Sequence, residues 1–173
     1  MGPGNGQILG RAYCAVLPVP RSPFPVAQNP LSKYQRRVLS DALRLVRDQR
    51  QRAEAAGAPF PPAVAWTTPF ALGYFVGVVD GLCQAHGVPF DGMGLAIVGL
   101  VLDDSLGRPE SDRLRQRAVA LMTAGDADFQ RGRPWGGNEA IGMQRGIMQP
   151  VGLVHLMRGD ESRMGGPVGG PQA

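Results

Sequence analysis

Histidine and cysteine are nearly missing from this chain: two of each stand in 173 residues. Cys14 and Cys83 fall in segments of different character, so they make neither a disulfide framework nor a metal-finger spacing. Cys83 and His86 are three apart and could share an ion on a helix. A structural site needs four ligands, however, and only Cys14 and His155 remain. No metal and no cofactor are expected. With only His86 and His155, few acid–base arrangements can be built.

Other scarcities narrow the field further. Lys33 is the only lysine among 18 basic residues, a bias toward arginine compatible with a GC-rich bacterial coding sequence. The formal net charge of +4 permits an acidic partner without demanding one. Aromatic residues make up 6%, and in the basic segment at 30–56 the only one is Tyr34, on the side expected to be buried, which weakens single-strand nucleic-acid binding. The apolar runs at 70–79 and 92–102 are shorter than the roughly 20 residues of a membrane span, and Asp80 would sit at mid-bilayer if the first were extended. The first residues lack the basic start and long apolar run of a secretory leader. A cytoplasmic protein is expected, and a membrane location is not.

Motifs with specific chemistry are also missing. Asp126 and Asp128 start like a calcium loop, but Arg131 stands at its glycine position and Gly137 at its twelfth. There is no phosphate-cradling glycine loop and no nucleophile elbow.

What the chain has in abundance is glycine, 25 residues, and proline, 16. The stretch from Thr68 to Asp104 organises the rest. Thr68 and Pro69 form a helix start, Gly87 a helix end, and Asp91 the cap of a second helix. At about 100° per residue, Gly73, Gly77 and Gly81 fall in one stripe, with Asp80 beside it. Gly92, Ala96, Gly99 and Asp103 line up likewise on the second helix. Each glycine costs about 1 kcal/mol of helix propensity against alanine. Close backbone approach offsets that cost, so the expectation is an αα-hairpin packed through Gly73, Gly77, Gly81 and Gly99. The first of its helices is apolar around most of its circumference and should be central.

Around the hairpin the pattern predicts an all-α bundle of about five helices. A helix over 30–56, capped by Asn29 and opened by Pro30, buries Leu31, Tyr34, Val38, Ala42, Leu45 and Val46. Opposite lies a basic stripe of Lys33, Arg36, Arg37, Arg44 and Arg47, in which Asp48 can pair with Arg52. Phe60 and Trp66 could pin the Pro-rich connector at 57–67. Another helix opens at Pro109 and is interrupted at Gly125. RGRPWGG at 131–137 reads as a loop anchored by Trp135, and Asn138 as the cap of a final helix ended by Pro150. Residues 1–28 and 150–173 are expected to be disordered flanks of a domain at 29–149.

The function expected from this pattern is protein–protein interaction or self-association, with a homodimer as one form. An alternative is a nucleic-acid-associated protein whose helix at 33–52 presents Arg36, Arg37, Arg44 and Arg47 to phosphates. A further alternative is a small enzyme or metal-dependent protein in which Asp80, Asp103 and Asp104 converge.

Overall fold

The computed structural model describes residues 31–160. They are all-α, in seven helices rather than about five: α1 (Lys33–Ala55), α2 (Pro62–Ala65), α3 (Pro69–Ala85), α4 (Gly92–Leu106), α5 (Arg108–Ala124), α6 (Ala127–Gln144) and α7 (Gly152–Arg158). No described helix is long and apolar enough to cross a membrane.

α3 is the central helix. Thr68 caps it by accepting the Ala71 N–H at 3.1 Å, and every residue from Phe70 to Val79 is buried. Its glycine stripe does not face α4, as the hairpin expectation had it. It faces α6. A side chain at Gly73 or Gly77 would overlap the backbone carbonyls of Phe129 and Arg133, and one at Gly81 would come within 2.7 Å of the Gly137 carbonyl oxygen. The fit is reciprocal, because Gly132 and Gly136 are pressed against the carbonyls of Phe70 and Tyr74. Each forward step of four residues on α3 matches a forward step of four on α6. The two helices therefore run parallel, with glycine Cα–H groups set against facing carbonyls.

This seam explains why residues 131–137 are helix and not loop. Pro134 removes one backbone donor from the middle of α6, and Gly132, Gly136 and Gly137 are poor helix formers. Packing against α3 outweighs those local preferences, as tertiary contacts commonly do. Asp126, not Asn138, is the cap, accepting the Phe129 N–H at 2.9 Å. Trp135 is half-buried against the core from within the helix.

α4, capped by Asp91 through the Met93 N–H at 2.8 Å, packs chiefly on α5. Its Gly99 admits a side chain rather than a backbone: the Arg115 aliphatic arm lies where a Cβ would be, at 3.0 Å. α1 starts later than expected. Asn29 and Pro30 lie outside the described residues, and Ser32 and Gln35 form a reciprocal capping box at 3.2 and 2.9 Å. Val38, Ala42, Leu45 and Val46 are buried as expected, but Tyr34 is exposed. In the connector Trp66 is fully buried, edge-on to Phe75 at 5.1 Å, while Phe60 is exposed.

The expected tail past 150 contains α7, whose Leu153, Leu156 and Met157 are buried. Residues 1–28, and 161–173 of that tail, lie outside the described residues.

Candidate interaction surface

Most polar groups with chemical potential are already satisfied within the fold. Glu139, 3% exposed, accepts the Tyr74 hydroxyl at 2.5 Å and the backbone N–H groups of Val151 and Gly152 at 3.1 Å. Gln49, fully buried, donates to the Tyr74 hydroxyl at 2.9 Å and accepts the Leu153 N–H at 2.7 Å. Two side chains from α1 and α6 thus occupy the free N–H groups at the start of α7. Burial first, then the Glu139 charge, pushes the Tyr74 phenol well above its ordinary range. The arrangement is a clasp for α7, with no opening to a substrate.

Asp41 is a second junction. Its carboxylate faces His86 Nε2 at 2.9 Å, accepts from Gln144 at 2.7 Å and pairs with Arg44 at 3.1 Å. It ties α1 to the C-terminal ends of both α3 and α6. Cys83 is buried, and its thiol is pushed up to about 11, by burial first and then by Asp80 and Asp91. A thiol held so high is a poor nucleophile near neutral pH.

Of the three acidic residues that could have formed an enzyme site, Asp80 and Asp104 are taken by separate arginines, and Asp103 is half-buried on α4 with no side-chain partner among the described residues. Asp80 lies at the edge of the seam and pairs with Arg133 of α6 at 3.1 Å, while Gln84 donates to its other oxygen at 3.2 Å. Asp104 meets Arg47 of α1 through two hydrogen bonds, one of them at 2.9 Å from Nε. That bond holds the Asp104 carboxyl below its usual range. Among the described residues, no three His, Cys, Asp or Glu side chains gather as metal ligands.

The basic stripe is largely partnered. Arg44 pairs with Asp41, Arg47 with Asp104, and Arg36 donates to the Leu31 carbonyl at 2.6 Å. On α5, Arg113 pairs with Glu110, Arg115 with Asp112, and Arg117 donates to the Thr67 carbonyl. Lys33 and Arg37 are exposed, with no side-chain partner among the described residues. Asp48 does not pair with Arg52 as expected. The Arg52 guanidinium donates instead to the carbonyls of Asp48 and Pro150, both at 3.2 Å.

Among the described residues, the most exposed large apolar side chain, Ile147, marks a surface at the end of α6 that is not self-satisfied. α6 ends on Gly146 at φ +68°, with the Gly146 N–H bonded to the Met143 carbonyl and the Ile147 N–H to the Gly142 carbonyl. In such an ending the residue after the glycine usually packs an apolar side chain back onto the helix's last turn. Val88 and Ala58 do so after α3 and α1. Ile147 does not. Its counterpart on the helix is Gly142, which has no side chain to meet it, and Met148 covers that spot, 2.8 Å from where a Cβ would stand. Ile147 is left 75% exposed, with Met148 and Val151 also exposed nearby. Beside them runs a groove of about 620 Å³, floored by Leu45, Met143 and Pro150 and edged by Arg44, Asp48 and Arg52.

Compared with known proteins, the chain matches no family model, no curated protein and no solved structure.

The sequence pattern marked Gly73, Gly77, Gly81 and Asp80, which the structure brings together on one side of α3, with Gly99 elsewhere on α4. It missed Ile147, Met148, Gln49 and Glu139. Gly132 and Gly136 carry the same four-residue spacing as the α3 stripe, and that was a visible signal. The clasp left none, because Gln49 and Glu139 read locally as ordinary polar positions.

Proposed function

We propose that this protein acts by protein–protein interaction, in a bacterial cytoplasm, through the surface formed by the end of α6, the 145–151 turn and the facing side of α1. The observation that carries this reading is Ile147, a large apolar side chain left without the packing partner its helix ending ordinarily supplies. Clustered apolar exposure next to a recess is characteristic of binding surfaces, and a flexible methionine such as Met148 adapts well to a partner. The scarcity of cysteine and the arginine bias support the compartment and source.

A photo-cross-linking residue placed at 147 in the cells that make the protein tests this reading. A discrete protein adduct at 147, with none from a probe at Thr123 on exposed α5, is the expected result. No adduct at 147 would leave the surface without a partner. The nucleic-acid alternative would draw on Lys33 and Arg37, the stripe cations with no described partner. Its signature would be binding that weakens steeply with salt.

A further inference from the structure

Resting on that reading, we propose that the partner on the α1/α6 groove is a second copy of this chain, related by a two-fold axis that passes beside Asp48 and Arg52. A two-fold interface uses one patch twice, so the patch must carry both halves of every contact. This one does so in shape and in charge.

Ile147 stands at the rim of the groove over Leu45 and Met143, 75% exposed. An apolar projection and a recess with an apolar floor and charged edges lie side by side on one surface. A two-fold rotation places the projection of each copy over the recess of the other. The flank of α1 beyond them is also recessed, with about 400 Å³ between Gln51, Ala55 and Gln149. The ridge carrying Asp48 and Arg52 borders both recesses, which adjoin at Gln149.

The Asp48 carboxylate is exposed and has no partner among the described residues. The Arg52 guanidinium, four residues on, touches carbonyl oxygens and no acid. The other α1 cations near the groove already have acids, Arg44 with Asp41 and Arg50 with Glu54. One unpaired negative and one acid-free positive group thus remain on the ridge. When two α1 helices cross antiparallel about a point between them, Asp48 of each copy meets Arg52 of the other. Both leftover charges are then satisfied, and like charges are kept apart.

Sedimentation equilibrium of the purified full chain, over a wide concentration range, tests the proposal with charge-reversed variants. The wild type is expected to form dimers and no larger species. Asp48→Arg alone, or Arg52→Asp alone, should weaken the dimer by at least about tenfold, because each sets like charges face to face. An equimolar mixture of the two singly reversed proteins should recover a dimer made of one of each. Ile147→Asp should also weaken association, and its circular dichroism should stay that of the wild type, because the residue is exposed. A wild type that stays monomeric, or a dimer indifferent to Asp48→Arg and Ile147→Asp alike, overturns the second-copy proposal. If Arg52→Asp does not fold, those two variants still decide. A monomeric protein that nevertheless gives a 147-specific adduct to a different protein in cells would sink this proposal and leave the interaction reading standing. Absence of both dimer and adduct removes both.

Discussion

Gly77 is the residue on which the α3–α6 contact turns. A Cβ there would collide with the Arg133 carbonyl, a backbone atom that cannot rotate away. Relief requires the two helices to separate along their length. Overpacking in well-filled cores costs about 1–3 kcal/mol, and a backbone clash belongs at the upper end or beyond. Gly77→Ala should therefore lower the urea midpoint markedly, although alanine favours helix by about 1 kcal/mol over glycine. A midpoint at or above wild type would place Gly77 away from any backbone. Asp80, one turn on, should behave differently. Its pair with Arg133 is a quarter to a third exposed. Such pairs contribute about 1 kcal/mol or less, so Asp80→Ala should shift the same midpoint only slightly.

At the scale of elements, α7 is the test case. It is short, and its attachment depends on Leu153, Leu156 and Met157 together with the clasp of Gln49 and Glu139. Glu139→Ala leaves the Val151 and Gly152 N–H groups and the Tyr74 hydroxyl without their acceptor. Each unsatisfied buried group costs about 1–3 kcal/mol. Hydrogen exchange should then quicken at residues 151–158 before it does in α3. Unchanged protection of those amides would mean that apolar packing alone holds α7. The helices read correctly from sequence, α3, α4 and α5, have strong local punctuation: Thr68-Pro69, Gly87, Asp91, Gly107, Pro109 and Gly125. Residues 131–137 of α6 read as a loop because Pro134 and three glycines lie among them. What makes them helical is α3, more than fifty residues earlier in the chain, and no local signal reports a contact at that range. α7 was lost for the same reason, since Gln49, which holds the Leu153 N–H, lies 104 residues earlier on α1.

For the molecule as a whole, burial of two weakly acidic groups sets an alkaline limit. The Cys83 thiol ionises near its ordinary 9.0 when unfolded and at about 11 when folded. Between those values the unfolded chain has released a proton that the folded one retains. Stability should thus be intact below about pH 9 and fall as the pH rises toward 11, the slope following the difference in bound protons. Tyr74, raised well above its ordinary 10.0, adds to the loss above that value. Cys83→Ala should flatten the first part of the decline in thermal melts taken across this range. A decline of unchanged steepness would assign it to other groups.

The arrangement of the whole molecule depends on α3 and α6 running parallel with their backbones in contact, because that direction brings the α6 terminus, and with it Ile147, beside α1. His86 and Gln144, at the ends of the two helices, both meet the same Asp41 oxygen. The distance between spin labels at the exposed positions Ala85 and Arg145, in a chain with Cys14 and Cys83 replaced by alanine, measures this directly. Parallel helices give one narrow distribution below about 20 Å, whereas an antiparallel pair would separate the labels by about the length of α3, roughly 25 Å or more. A distribution centred at the longer distance would contradict the seam and everything placed by it.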